Sequence, residues 1–357
     1  MDTSYHVIGL MSGTSLDGLD IAFCRFTYKS HNWIYEILNT TTLTYTHELI
    51  DSLRGAETAS ALELVELDHA FGRFMGQRVH EFVQQHGIQP DFVASHGHTI
   101  FHQPDKHISL QLGHGAYLAA HAHLPVVCDF RTLDIALGGQ GAPLVPIGDE
   151  LLFGHYDYCI NLGGIANVSY NHQGTRLAFD TSACNMLLNT LANSLGQPYD
   201  HNGALARSGT LEPKLLEALN APAYFAAPAP KSLGKEWVLD HSLKSIADSP
   251  ATAEDKLHTV CHHIAQQLRN ALPPLHEGQH RVLITGGGAF NGYLMEQIQQ
   301  QLGPKYTVEI PAPEVVSFKE ALIFAFLGVL RWRGEHNCLS SVTGASRNNV
   351  GGAIYLS

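Results

Sequence analysis

The stretch HVIGLMSGTSLDGLDIAFCRF, His6 to Phe26, decides how the rest of the chain is read. Two apolar, β-rich runs, HVIGLM and LDIAFCRF, enclose a short segment full of glycine, hydroxyl and carboxylate groups. The runs read as strands and the segment between them as a turn. An ordinary hairpin turn needs only Asp17-Gly18, so the SGTS just upstream is surplus to that role. Ser12, Gly13, Thr14 and Ser15 can instead turn backbone N–H and hydroxyl donors towards a phosphate, as anion-binding nests do. Asp17 and Asp20 would repel such a phosphate unless a cation stood between them. Mg²⁺ accepts carboxylate and phosphate oxygens together. The combination therefore points to a metal–nucleotide, with Asp17 and Asp20 as candidate metal ligands.

Working outward, WIYEIL reads as a third strand and residues 58–86 as a long helix with Ala61, Leu64, Val65, Leu67 and Ala70 on its apolar positions. PDFVASHG, HISLQLG, a helix over 116–122 and PVVCDF complete a mixed α/β domain. GGQGAPLVP, residues 138–146, reads as an interdomain passage, because its Gly and Pro forbid a regular element. The same grammar then restarts. DYCINLGGIANVSY is strand, Gly-Gly turn, strand; TRLAFD is a strand and SACNMLLNTLANSLG a helix. An insert over 198–245 and a helix over 253–272 precede RVLITGGGAFN, a strand entering a glycine loop, and the helix GYLMEQIQQQL. A short strand is expected over 308–310, then a buried helix in SFKEALIFAFLGVLRW and an irregular tail. Two domains follow, residues 1–137 and 138–357, with the last helix packing back at their junction.

Composition narrows the function classes. The chain has 357 residues, 45% of them hydrophobic, so a large core can form. A formal charge of -12 argues against nucleic acid as a partner. The six Cys are scattered singly, which indicates neither a zinc site nor a disulfide framework. MDTSYHV lacks the basic and apolar regions of a signal peptide, and ALIFAFLGVL is too short to span a bilayer. A cytoplasmic protein with no membrane partner is expected. The 23 His show no HExxH spacing and read as surface or core residues.

Two more glycine turns carry candidate ligand contacts. In NLGGIANVS, Gly163 and Gly164 let the backbone approach a ligand, with Asn161 and Asn167 beside them. In TGGGAFNGYLM, Gly286, Gly287 and Gly288 end an apolar strand before a helix, with Asn291 following. Loops at the carboxyl ends of strands are where α/β folds bind ligands. GxxxxGK[ST] and GxGxxG are both absent, so a nucleotide would be held by a different architecture.

GLMSGTSLDGLD, DFRTLDIALGGQGAPLVPIGD, NLGGIANVS, AFDTSACN, PKSLGKEW and TGGGAFNGYLM, in that order, resemble the anhydro-N-acetylmuramic acid kinase family over residues 7–347. That family sits in the group of sugar kinases, actin and the seventy-kilodalton chaperone ATPases. The resemblance implies two related actin-like α/β domains with ATP in the cleft, Mg²⁺ and a homodimer. It implies phosphorylation of 1,6-anhydro-N-acetylmuramic acid by ATP while water opens the anhydro bridge, in cell-wall recycling. Carried onto this chain, Gly13 to Asp17 form the first phosphate loop and Gly163-Gly164, with Asn167, the second. Gly286 to Gly288 and Asn291 border the adenosine and its phosphates.

Asp180, ending TRLAFD, becomes the base that takes a proton from water, a role an Asp at a strand end can fill. Its own neighbourhood also allows a helix N-cap, since Thr181, Ser182 and a helix follow. His96, His98 and Thr99 are implied sugar contacts, with His98 standing where relatives often have Gln. Arg131 suits an anion, the lactyl carboxylate, or else a buried pair with Asp129 or Asp134. Glu320 faces the substrate by resemblance, or is a solvated helix residue. Relatives usually have FDTGPGN where this chain has FDTSACN, which leaves another amino or anhydro sugar as the alternative acceptor. A non-catalytic ATP-binding scaffold would need the nucleotide loops but no Asp180.

Overall fold

The computed structural model describes residues 3–357. Met1 and Asp2, part of the MDTSYHV segment read above, lie outside the described residues. Among the described residues there are twelve strands: β1 Thr3–Ser12, β2 Leu19–Lys29, β3 Asn32–Leu43, β4 Phe92–Gln103, β5 Ile108–Leu112, β6 Val126–Cys128, β7 Tyr158–Leu162, β8 Ile165–His172, β9 Thr175–Ala183, β10 His280–Thr285, β11 Tyr306–Glu309 and β12 Ala353–Tyr355. The chain divides into two compact units, Met1–Leu152 with Phe318–Ser357, and Phe153–Ser317.

The first unit is built on a sheet ordered β12-β6-β4-β1-β2-β3, with β5 paired to β4. β1, β2 and β3 form an antiparallel meander, whereas β4 and β6 run parallel to β1 on its other side. The Ala61–His86 helix makes the crossover from β3 to β4. Ser60 opens it with a capping box to Glu63, and Gly87 closes it in the left-handed region at φ 58°. Its Phe71, Met75, Val79 and Phe82 pack on Ile8, Leu10, Val93 and Val126 of the sheet. On the helix Pro313–Arg333, residues 321–330 are buried without a break, as an all-apolar stretch must be. A Cβ on Gly9 of β1 would lie 1.9 Å from the Ala321 carbonyl, so only glycine lets that helix approach the strand so closely.

The second unit has the order β11-β10-β7-β8-β9. β7, β8 and β9 are the antiparallel meander; β10 and β11 run parallel to β7. This is the order of the first unit without its additions β5 and β12. One topology thus occurs twice, although no sequence identity is visible between the copies. The core gathers Tyr158, Ile160, Val168, Leu187, Leu257, Ile264, Val282 and Leu294 from the sheet and the helices Asn185–Ser194, Ala253–Ala271 and Gly292–Leu302.

Three expectations change. The division falls after Leu152 and not at 137, and residues 318–357 belong with the first unit. The helix Pro313–Arg333 carries one non-helical residue, Phe318 (φ -114°, ψ 15°), where the division falls. The Gly- and Pro-rich passage ends sooner than expected, because Val145–Leu152 is a helix that accommodates Pro146 in its first turn. The tail is not irregular throughout: Ala353–Tyr355 pairs antiparallel with β6. No helix of the described residues is long and apolar enough to cross a membrane.

Candidate active site

In the first unit, the carboxyl ends of β1, β4 and β6 bring together the first turn, residues 96–99 and Arg131. The turn closes with the Leu16 N–H on the Gly13 carbonyl at 3.2 Å. Thr14 and Ser15 are exposed, and the Ser15 hydroxyl donates to Asp17 Oδ1 at 2.9 Å. Ser12 departs from its expected role as a phosphate donor. Its Oγ is buried, accepts from the Tyr45 hydroxyl at 2.6 Å and lies 2.9 Å from His98 Nδ1. The hydroxyl is spent inside the protein.

Asp20 lies abreast of Met11 and Thr42, accepting the Thr42 hydroxyl at 2.5 Å. Burial pushes its carboxyl above the usual range, the Thr42 bond opposes this, and Asp17 adds to the rise. A carboxylate raised by burial and by a second carboxylate beside a donor-rich turn suits a divalent cation.

His96 is buried and its tautomer is readable. Nδ1 donates to the Gly97 carbonyl at 2.9 Å, leaving Nε2 to accept from Arg131 Nη2 at 2.8 Å and Nε at 3.2 Å. Burial, then the Arg131 charge, hold this imidazole well below its ordinary pKa. Burial also lowers His98. Both rings are neutral at pH 7 and act as hydrogen-bonding groups. Thr99 is half-buried and accepts from Gln111 Nε2 at 3.4 Å.

Arg131 does not pair with Asp129 or Asp134. Its Nη1 donates to the Gly141 carbonyl at 2.6 Å, and donors remain for a ligand. Burial draws the guanidinium down to about 10, against the pull of Glu320, so it stays charged at neutral pH. Asp134, fully buried, instead accepts from Gly141 N, Cys338 Sγ, Thr343 Oγ1 and Asn349 Nδ2, which anchors the loop after β6. Asp129 takes the Thr132 hydroxyl at 2.5 Å. Glu320 is reached by solvent, yet the protein crowding it pushes its carboxyl upward, opposed by Arg131. Its neighbour Lys319 forms a buried pair with Asp149 at 2.7 Å.

In the second unit, β-register sets Thr285, Asn161, Asn167 and Asp180 side by side across β10, β7, β8 and β9. Laterally paired residues share a face, so this is one polar row. Asp180 sits within β9 and is not a helix cap; the N-cap of the Asn185–Ser194 helix is Cys184. Its Oδ2 accepts the Leu233 N–H at 2.8 Å. Burial raises its carboxyl to about 6, with the Leu233 bond opposing.

The Gly163 and Gly164 carbonyls accept from Asn185 N at 3.1 Å and Cys184 N at 2.9 Å, which joins the hairpin turn to the helix start. Cys184 has φ -129° and a thiol pushed up to about 12 by burial; Ser182 is fully buried. Neither position has the positive φ that would call for glycine.

Gly286 has φ 84°, and a Cβ there would lie 2.4 Å from Asn161 Oδ1. The third loop therefore seats directly on the end of β7. Gly287, Gly288 and Asn291 line a cavity of about 610 Å³. Asn185, Asn189, Tyr199, His201, Asn202 and Phe290 also line it, and the sequence had singled out none of them. Only Phe290, two residues after the last of the glycines, carried a usable signal. Asn291 additionally caps the next helix through Leu294 N at 3.0 Å.

A doubled sheet topology with glycine turns and polar groups at the carboxyl ends of parallel strands defines an α/β protein of the actin-like ATPase and sugar-kinase kind. Within that class, the chain belongs to the anhydro-N-acetylmuramic acid kinase family, whose model matches residues 5–357. The family's Xanthomonas oryzae pv. oryzae member is 36% identical over 365 residues, covering 98% of this chain and 96% of its own. Those of Gloeobacter violaceus and Vibrio cholerae are 36% and 34% identical, covering 95% and 98% of this chain and 96% and 97% of their own. Among solved structures, component A of (R)-2-hydroxyglutaryl-CoA dehydratase from Acidaminococcus fermentans is similar at TM-score 0.44 and 12% identity, covering 90% of this chain and 96% of its own. A ROK hexokinase from Thermus thermophilus is similar at TM-score 0.39 and 11% identity, covering 92% and 99%.

Proposed function

We propose that this chain is an ATP-dependent kinase that converts 1,6-anhydro-N-acetylmuramic acid, ATP and water into N-acetylmuramic acid 6-phosphate and ADP. The observation that carries the mechanism is Asp180: a strand-held carboxylate, raised to about 6 and fixed on one oxygen by Leu233 N–H. Ionised at neutral pH yet a better proton acceptor than an ordinary Asp, it suits a general base. It takes the proton as the oxygen of water bonds to C1. The C1–O6 bond breaks, and O6 takes the γ-phosphoryl group from ATP, releasing ADP.

The 610 Å³ cavity beside Gly287 and Gly288 is of a size for adenosine. Gly163, Gly164 and the exposed Thr14 and Ser15 are the candidate phosphate donors. Asp17 and Asp20 would hold Mg²⁺, which when bound neutralises charge on the phosphates. Charged Arg131, held by neutral His96, suits the lactyl carboxylate, with His98, Thr99 and Glu320 nearby in the same unit. A cytoplasmic homodimer belongs to the same reading.

The test is to supply Mg-ATP with the anhydro sugar and measure ADP and sugar 6-phosphate. Equimolar products support the assignment, and no sugar phosphate refutes it. Product from unbridged N-acetylmuramic acid alone would transfer the activity to another acceptor. Light scattering at a dimer mass tests the oligomer.

A further inference from the structure

The segment Tyr224–Leu233 lies in the insert, which no expectation tied to the chemistry. It nevertheless holds Asp180 at three points. The Tyr224 hydroxyl donates to the Asp180 carbonyl at 2.8 Å. The Lys231 carbonyl accepts the Asp180 N–H at 3.2 Å. The Leu233 N–H donates to Asp180 Oδ2 at 2.8 Å. The segment therefore lies along the edge of β9 as a strap and fixes one of the two carboxylate oxygens.

Lys231 holds this strap in shape. Its ammonium donates to the Tyr224 carbonyl at 3.0 Å and the Phe225 carbonyl at 3.4 Å, within the 3₁₀ turn Ala223–Ala226. The Tyr224 carbonyl also takes the Ala227 N–H that closes the turn at 3.1 Å, and a cation at this carbonyl end is favourable. The same ammonium lies 4.8 Å over the Tyr224 ring and 5.8 Å over that of Phe179, the residue before Asp180. One charge thus ties the strap to itself and to β9. Behind it, Phe225 packs edge-on to Trp237 at 5.9 Å and to buried His263 at 5.2 Å, which anchors the strap to the Ala253–Ala271 helix.

We propose that Lys231 and Tyr224 are positioning residues for the base. They clamp the strap so that Asp180 Oδ2 stays occupied and Oδ1 is the oxygen offered to the reacting water. Neither touches the substrate in this scheme. The proposal rests on the assignment of Asp180 as base. The titratable groups of the strap are Tyr224, whose phenol burial and then the Asp180 charge push upward, and Lys231, whose ammonium burial pulls down.

The test compares Lys231→Met, Lys231→Arg and Tyr224→Phe with the unaltered chain. Lys231→Met keeps the stem and loses the donors. We expect its kcat to fall at least tenfold with KM for ATP unchanged, Tyr224→Phe to lose several-fold, and Lys231→Arg to recover most of the rate. Carbon-13 titration of the Asp180 carboxyl, assigned with Asp180→Asn, requires no substrate. Loosening the strap in Lys231→Met admits water, which lowers the titration, and frees Oδ2 from the Leu233 N–H, which raises it, so the value moves away from about 6. An unmoved titration in folded Lys231→Met overturns the proposal, as does a kcat within twofold of the unaltered chain. If the unaltered chain turns over no anhydro sugar, the assignment of function fails, while the titration still decides the strap.

Discussion

Replacing Asp180 by Asn should abolish turnover and at the same time stabilise the protein. Asn keeps an acceptor for the Leu233 N–H and nearly the same volume, so the strap contact survives. The carboxyl, however, stands at about 6 in the folded chain against 3.8 for the ordinary group. That distance corresponds to about 3 kcal/mol between the two protonation states. The sign follows from linkage. A raised carboxyl binds its proton more tightly in the folded state, so folding is favoured below pH 3.8 and that advantage is lost as pH rises through 6. Above about pH 7 the ionised group costs the fold about 3 kcal/mol, and the amide removes this cost. Melting temperature moves about 2–4 °C per kcal/mol in domains of 150–250 residues, so a gain of several degrees is expected. The assay is thermal unfolding of both proteins from pH 4 to 8.5. The variant's advantage should be small at pH 4, grow through pH 6 and level off. Loss of a general base costs about 10²–10⁴-fold in kcat. In the unaltered enzyme, kcat/KM should fall tenfold per pH step below about 6. A variant less stable than the parent at pH 8, or an advantage independent of pH, refutes the burial argument.

Ser12→Ala leaves the Tyr45 hydroxyl and His98 Nδ1 buried without their shared partner, and should cost about 1–3 kcal/mol in urea unfolding. Unchanged stability would mean that the relay is not formed. Gly286→Ala places a Cβ 2.4 Å from Asn161 Oδ1 at φ 84°, and should lower stability by about 1–3 kcal/mol and weaken nucleotide binding in calorimetry. Asp17→Asn, at an exposed position, should leave the melting temperature unchanged and flatten the Mg²⁺ dependence of nucleotide binding. An unchanged dependence would remove Asp17 from the metal.

The features legible in the sequence were those carried by local chemistry. Alternating apolar runs marked the two meanders, and consecutive glycines marked the loops where backbones nearly touch, as Gly286 does on Asn161 and Leu162. Features set by register or distant main chain were not legible. Nothing local shows that Asn161, Asn167 and Asp180 stand abreast, because that follows from strand pairing and a bulge after Ala166. β12 is three residues whose partner strand lies far back in the chain. The fate of Ser12 was hidden in the same way: SGTS looks like a row of donors until Tyr45 and His98 take one of them. The strap holds Asp180 mainly through the main chain of Lys231 and Leu233, and main-chain groups have no sequence signature.

One contrast separates the carboxylates proposed for the site from those that hold the fold. On the surface, Glu63 caps a helix, and Glu296 and Glu309 bond Arg207 and Arg281; hydrogen bonds first of all hold each below its ordinary pKa. Buried Asp134 is surrounded by four donors, and Asp149 is ion-paired. Asp20, Asp180 and Glu320 behave differently. Each is pushed upward, chiefly by burial, with too little hydrogen bonding to compensate. In a chain of net charge -12, which already counts them, these carboxylates add nothing to stability. Ligands can restore the balance: a cation at Asp20, a proton at Asp180, a donor at Glu320. Binding is thereby coupled to relief of a cost built into the empty fold. Saturating Mg-nucleotide should accordingly raise the melting temperature more at alkaline than at acid pH, because a proton that Asp20 binds more tightly than an ordinary Asp competes with the cation. An equal rise at both would show that the carboxylates take no part in holding the ligand.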